Sequence, residues 1–320
     1  MALTIFSGPY FVPRTTLSKS TNLSRPSLSP SRTVVVTALS SGASSSYWSS
    51  VNADIQNHLQ RTVKAKPPLS VYEPLRHFAL MAPPDDDVAA ALCVASYELV
   101  GGQNRDKAVE LAAALRLLYA VSYTHGPLLD PSGGGSGIVH EPYGASVRLL
   151  IGDGLLPFAI EMLVRPDKLV TEHSSRVLRV VKEVTHAIGS QGMVEGQYRE
   201  TLRSKSSDGD EGLRYGHVEE ICERSEKMEG KAYACSAACG AILGGGNKDD
   251  IDKLRSYGFN VGKIHGVLKK WRTEEGKENG VIMKKVEEMK DLAMKELESF
   301  EGEKVNVMYG LIDMYLGDVN

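Results

Sequence analysis

The sequence predicts an all-α protein. Apolar residues recur at helical spacing along most of the chain, alternating β-branched runs are rare, and proline or glycine clusters cut the chain into helix-length segments. Tyr47, Val51, Ile55, Leu59 and Val63 are each four residues apart, so they drift slowly around a helix and form one stripe. Pro67-Pro68 stops that helix. A second segment, 71–81, is followed by the breaker run Pro83-Pro84-Asp85-Asp86-Asp87, and an apolar helix over 88–99 ends at Gly101-Gly102. Residues 106–125 read DKAVELAAALRLLYAVSYTH, apolar on nearly every face after the first turn, which makes this helix central. Gly126-Pro127 should end it, and the glycine-rich stretch 131–137 can only be loop. Further helices are expected over 145–163, 169–188, 218–243, 248–271, 281–300 and 305–316, with the polar run 204–212 as an inserted surface loop. The result is a bundle of roughly ten helices.

A chain of 320 residues that is 42% hydrophobic can bury one large core. Its formal net charge of −3 comes from acids and bases mixed along the length, so it has no basic stripe for a phosphate backbone and no nucleic-acid partner is expected. No uninterrupted apolar run reaches membrane-spanning length. The first acidic residue is Asp54; before it the chain is rich in Ser, Thr and Pro with scattered cations at Arg14, Lys19, Arg25 and Arg32. That composition reads as a plastid transit peptide over 1–45, with a processing region around Val36-Thr37-Ala38, a helical domain over 46–320, and the plastid stroma as destination. An untargeted tail is the other reading of the same residues.

Cys93, Cys222, Cys235 and Cys239 are too few and too unevenly spaced for a disulfide scaffold and are expected to be reduced thiols. Cys235 and Cys239 fall at i and i+4 on one helical face among small residues, which makes a packing surface that another helix can approach. No second ligand pair at zinc spacing accompanies them. Asp85-Asp86-Asp87 could hold a divalent cation weakly, but an acidic turn at a helix N-terminus is the simpler account. The histidines are scattered, and no nucleophile-elbow glycine pattern is present.

Several landmarks, taken in order, resemble the trans-isoprenyl diphosphate synthase family. Cys93 to Gly102 (CVASYELVGG) resembles the helix before that family's first aspartate motif, and Ser122-Tyr123-Thr124-His125 the run leading into it. Gly152-Asp153-Gly154-Leu155-Leu156 is similar to its Gly-Asp-x-Leu-Leu segment. Gly192-Met193-Val194-Glu195-Gly196-Gln197 resembles its Gly-x-x-x-Gly-Gln turn, and Cys239 to Gly245 (CGAILGG) its Gly-Ala-Ile-Leu-Gly-Gly segment. The resemblance covers about residues 47 to 275 and implies the isoprenoid synthase fold.

In that family two aspartate motifs hold Mg²⁺, which neutralises an allylic diphosphate and helps it ionise. Here Gly126-Pro127 stand where the first motif should follow His125, and Lys269-Lys270-Trp271-Arg272-Thr273 where the second should follow Leu268. The basic isopentenyl diphosphate segment is replaced by Pro83-Pro84-Asp85-Asp86-Asp87. The resemblance therefore implies a small subunit of a heteromeric synthase, with no catalytic, cofactor-binding or metal residue of its own and Mg²⁺ on its catalytic partner. That partner would be a geranylgeranyl diphosphate synthase large subunit, in a heterodimer or heterotetramer. Small subunits of this kind carry two Cys-x-x-x-Cys motifs that support docking, so Cys93, Cys235 and Cys239 are the implied interaction residues; Tyr97 stands where the first motif's second cysteine would be. Asp153 matches an aspartate outside the metal motifs, with a structural hydrogen-bonding role. Loss of both aspartate motifs points to the type that directs its partner to geranyl diphosphate. Raised geranylgeranyl diphosphate output, an independent prenyltransferase using Lys269, Lys270 and Arg272, and a stand-alone plastid helical binding protein are the alternatives.

Overall fold

The stripe of the first segment seats it: Trp48, Val51, Ile55 and Leu59 are all buried along α1 (Ser41–Thr62), with Val63 just beyond its end. The structure, a computed structural model, describes residues 41–81, 88–129, 143–164, 166–206, 214–273 and 279–317, all within one unit, Ala38–Asn320. Among these residues there is no strand. In chain order come α2 (Leu69–Leu80), α3 (Ala89–Leu99), α4 (Arg105–Leu129), α5 (Ala145–Leu163), α6 (Pro166–Ile188), α7 (Met193–Ser206) and α8 (Arg214–Ser225). A π-helical turn (Glu226–Gly230) leads into α9 (Lys231–Gly244), then α10 (Lys248–Thr273), α11 (Asn279–Leu297) and α12 (Glu303–Gly317). None of these helices is long and apolar enough to cross a membrane.

The middle of the bundle is built from helices that are apolar all round. Every residue from Ala89 to Tyr97 in α3 and from Ala232 to Leu243 in α9 is buried, and α3, α4, α6 and α10 all pack against α9. Small residues set how close these helices come: a Cβ added to Gly240 would lie 2.1 Å from the Cys93 carbonyl oxygen, so α9 touches α3 backbone to backbone. Gly258 and Gly262 of α10 likewise face the Tyr233 and Glu229 carbonyls. Two helices stop at glycines with left-handed backbone, Gly101 (φ 91°) after α3 and Gly245 (φ 86°) after α9, which closes the last turns without a Cβ clash.

α12 completes the core, packing against α1, α3, α10 and α11 through Val305, Met308, Leu311, Ile312 and Tyr315. The Tyr257 hydroxyl of α10 donates to the Met308 carbonyl at 2.6 Å.

Four features depart from the sequence expectations. Gly126-Pro127 do not end α4, which runs on to Leu129; a proline near a helix terminus removes one hydrogen bond where few remain to lose. The Gly192 to Gln197 segment is a helix start, not a turn: the turn closes at Gly192, and Gly196 lies inside α7, where a Cβ would meet the Met228 sulfur at 2.8 Å. α7 continues to Ser206, into the run read as a loop, of which 207–212 lie outside the described residues. The helix expected over 218–243 starts at Arg214 and is broken by the π turn, whose Lys227 pairs with Glu195 of α7 and whose Glu226 pairs with Lys263 of α10. Val36-Thr37-Ala38, Asp85-Asp86-Asp87 and the 131–137 glycine stretch also lie outside the described residues.

Candidate functional site

At the end of α4, where the resemblance places the first aspartate motif, hydroxyls turn back onto their own helix. Ser122 donates to the Tyr119 carbonyl and Thr124 to the Ala120 carbonyl, each at 2.7 Å. His125 lies against Gly152 of α5, its Nε2 3.4 Å from the Leu149 carbonyl and 3.7 Å from Oδ1 of Asp153. Asp153 of α5 thus faces α4 across this histidine at more than hydrogen-bonding distance.

At the end of α10, where the second motif would stand, Lys269 and Lys270 are half-buried and Arg272 is exposed, its guanidinium donating to the Tyr315 carbonyl at 3.3 Å. One turn earlier His265 is buried, stacked on Tyr315 at a ring separation of 5.0 Å, and the Tyr233 hydroxyl lies 3.1 Å from its Nδ1 and 2.7 Å from the Tyr315 hydroxyl. α12 is therefore pinned over this end of α10 by stacking and hydrogen bonds. Two ammonium groups and a guanidinium there do not fit a Mg²⁺ site, which requires carboxylate oxygens. Among the described residues no group of three or more His, Cys, Asp or Glu side chains could hold a metal ion.

The three expected interaction cysteines converge, but inside the chain. Cys93, Cys235 and Cys239 are all buried and free. The Cys239 sulfur is 3.8 Å from that of Cys235 and 4.0 Å from the Val180 carbonyl of α6, and Cys93 lies on α3 opposite Gly240. The helices that approach this small-residue face are α3 and α6 of the same chain. Burial pushes the Cys93 thiol well above its ordinary range, and the contact with Cys235, together with burial, does the same for Cys239. Such thiols stay protonated and unreactive. Tyr97 is buried too: its ring covers Gly102, and its hydroxyl accepts the Asn104 backbone N–H at 3.0 Å.

Outward-facing apolar side chains lie elsewhere. On α5, Leu149, Leu150 and Leu156 are exposed, and Val164 just past its end continues the line; Leu150 is 68% exposed. On α6 Leu178 is 70% exposed. α7 carries a second line, Val194, Tyr198 and Leu202, four residues apart. Monomeric surfaces carry single exposed leucines routinely, but a row along one helix marks an interaction face. The sequence held a signal for the α5 row that its reading did not use. Leu149-Leu150 and Leu155-Leu156 give this helix more apolar positions than one buried face takes up; Ile151, Leu155 and Ala159 point inward and the others are left outside.

α5 and α6 share one seat. A cavity of about 20 Å³, the size of one water, is bounded by Leu111 of α4, Met162 and Leu163 of α5, Val177 and Val180 of α6, and Leu243 of α9.

No family model matches the chain. It is 41% identical over 271 residues, 84% of this chain and 91% of the relative, to small subunit 2 of the chloroplastic heterodimeric geranylgeranyl pyrophosphate synthase of Cannabis sativa. Among solved structures, the geranyl diphosphate synthase small subunit of Antirrhinum majus superposes with a TM-score of 0.72 at 38% identity, covering 84% of this chain and 98% of that one. A chain of the mint heterotetrameric geranyl pyrophosphate synthase gives 0.69 at 34% identity, covering 83% and 98%.

Proposed function

Because the chain belongs to the family of small subunits of plant heteromeric geranylgeranyl and geranyl diphosphate synthases, we propose that it is a regulatory subunit with no chemistry of its own. It docks onto a geranylgeranyl diphosphate synthase large subunit in the plastid stroma and directs that subunit to geranyl diphosphate, the precursor of monoterpenes. The observation that carries the non-catalytic part is the end of α10, where Lys269, Lys270 and Arg272 stand in place of carboxylates. Mg²⁺ belongs to the partner, whose carboxylates would hold the ions that neutralise an allylic diphosphate as it ionises.

The docking part is supported by the α5 row and Leu178, which burial in a partner would remove from water. At about 25 cal/mol per Å² a few such leucines supply several kcal/mol of gross binding energy. Docking alters product length only if this chain binds two states of the partner unequally. A preference of about 1.4 kcal/mol for the state that releases the ten-carbon product changes the product ratio tenfold. Plastid targeting is supported by the acid-free, Ser/Thr-rich N-terminal 45 residues and by the chloroplastic location in the Cannabis sativa relative's name.

A second reading has a specific observation in its favour: that same relative is named for geranylgeranyl, not geranyl, diphosphate synthesis. On this reading docking raises twenty-carbon output. One experiment separates the two. The chain lacking its leader is purified alone and with a plastid geranylgeranyl diphosphate synthase, then supplied with isopentenyl and dimethylallyl diphosphates and Mg²⁺. The lone chain is expected to give no product and the complex to release geranyl diphosphate. Product from the lone chain would overturn the non-catalytic reading; faster geranylgeranyl diphosphate formation without the shorter product would establish the second reading. Failure to co-purify would remove the subunit reading altogether.

A further inference from the structure

Resting on the docking reading above, we infer that the outward face of α6 is the electrostatic part of the docking surface and fits an acidic patch on the large subunit. The inward face of this helix is apolar, with Val177, Val180, Val184 and Ala187 all buried. Outward stand Leu178, which is 70% exposed, and the exposed side chains of Arg179, Lys182 and His186. At helical spacing these four fall within about a third of the circumference, so the leucine is set among polar and cationic neighbours rather than in an apolar stripe. No acid shares that face. Glu183, the one acid among the described side chains of α6, pairs instead with Arg255 of α10 at 2.8 Å, and Arg176 donates to the Leu243 carbonyl of α9 at 3.2 Å.

Four cations on other helices meet an acid three or four residues away: Arg199 pairs with Glu195, Lys253 with Asp249, Arg255 with Asp252 and Lys290 with Glu287. Arg179 and Lys182 form no ion pair among the described residues. Three residues apart on one helix face, they repel each other in the free chain. A surface bearing carboxylates, laid across α6, removes that repulsion, supplies the missing counter-charges and takes Leu178 out of water between them.

Nucleic acid and lipid headgroups are the other anionic surfaces. Two cations in a chain of net charge −3 make no track for a phosphate backbone. An interfacial helix keeps a whole apolar face for the lipid, whereas α6 spends its apolar face on the core and leaves a single leucine outside. An acidic protein surface with room for one leucine suits what remains.

The test measures association and dissociation rates of the leaderless chain with a plastid geranylgeranyl diphosphate synthase large subunit at low and high salt. Salt screens charges at a distance, so from about 0.05 to about 0.5 M NaCl the wild-type association rate should fall at least about fivefold, with dissociation changed by less than about twofold. Arg179→Glu combined with Lys182→Glu should lower the association rate about tenfold at low salt and abolish its fall with salt. Lys284→Glu combined with Lys285→Glu makes the same change of net charge at exposed positions of α11 and should leave association within about twofold of wild type. Leu178→Ala should speed dissociation about fivefold while its association keeps the wild-type salt dependence. All these side chains are exposed, so unchanged melting temperatures confirm that each variant folds.

An α6 charge reversal that associates like wild type at both salt concentrations would overturn the inference. So would an equal loss in the α11 pair, which would trace the effect to net charge rather than to this face. Wild-type chain that co-sediments with phosphatidylglycerol vesicles, and is released from them by the α6 reversal, would put lipid on this face in place of protein. A wild-type chain that binds no large subunit removes the docking reading and this inference with it; one that binds without dependence on these charges removes the inference alone.

Discussion

Gly240 sets the tightest constraint in the core. A methyl group there would come within 2.1 Å of the Cys93 carbonyl oxygen and 2.9 Å of its carbon, both backbone atoms that no rotamer change can move aside. In an exposed helix Gly→Ala is worth up to about 1 kcal/mol of added stability, but here α3 and α9 would have to separate, exposing parts of two largely buried helices. Gly240→Ala is expected to destabilise the chain by about 3 kcal/mol or more. Urea unfolding followed by far-UV circular dichroism measures this, and an unchanged midpoint would show that α3 and α9 do not meet backbone to backbone. The same residue illustrates what the sequence discloses. The CGAILGG segment marks a close helix approach through its small residues, yet nothing in it says which helix approaches. Cys235 and Cys239 were legible as a packing face for that reason, and it took the fold to show that α3 and α6 of this chain occupy it. Tyr97 and Gly102 form a similar pair, ring over glycine, that spacing alone does not reveal.

At the level of elements, long helices with one-sided stripes or all-round apolarity were readable, α1, α3, α4 and α10 among them. Those whose side chains are explained only by tertiary partners were not. α7 has Gly192 just before its start and Gly196 in its first turn, a turn signal by composition, and is held by Lys227–Glu195 at 2.8 Å and the Gln197 amide donating to the Ser122 carbonyl at 3.1 Å. The π turn has no composition of its own; it forms where Lys227 and Met228 meet α7 while Glu226 reaches Lys263 of α10. On α5 the exposed leucines separate folding from docking. Leu150→Glu removes no buried contact, so stability should stay within about 0.5 kcal/mol of wild type, while a charge placed in a desolvated interface should weaken association with the large subunit at least tenfold. Thermal melts with a binding titration check both halves, and retained affinity would take α5 out of the docking face. α1 makes a prediction about the N-terminal boundary. Trp48 is 2% exposed, and its indole N–H donates to the buried Ser44 hydroxyl at 3.3 Å. A chain beginning at residue 50 should therefore be about 3 to 5 kcal/mol less stable than one beginning at residue 41, the usual effect of deleting a buried tryptophan. Equal urea midpoints for the two would show that the first two turns of α1 contribute nothing.

Over the whole molecule, several thiols and phenols buried among the described residues are shifted in the same direction. Burial raises the Cys93 thiol, and contact with Cys235 together with burial raises Cys239. Burial likewise raises the phenols of Tyr119 and Tyr257, and at Tyr47 it does so with the help of the Glu98 carboxylate, which accepts from the Tyr47 hydroxyl at 3.1 Å. Each group therefore keeps its proton in the folded chain at a pH where the unfolded chain has lost it. The unfolded state then binds fewer protons, so unfolding free energy falls as pH rises. The stability these groups contribute is fully present below their unfolded values, about 8.5 for thiols and about 10 for phenols, and is lost progressively above them. The urea midpoint should accordingly begin to drop above about pH 8.5 and drop more steeply above about pH 10. Tyrosinate absorbance gives the independent check. Tyr119 and Tyr257 should ionise only in step with loss of helical circular dichroism. In Tyr257→Phe, which keeps the ring but gives up the bond to Met308, stability at neutral pH should fall by about 1 kcal/mol, and the decline above pH 10 should become shallower because one titrating group has gone. A decline of unchanged steepness in that variant would mean that Tyr257 is not among the groups driving alkaline unfolding, and that the contact between α10 and α12 is open to water.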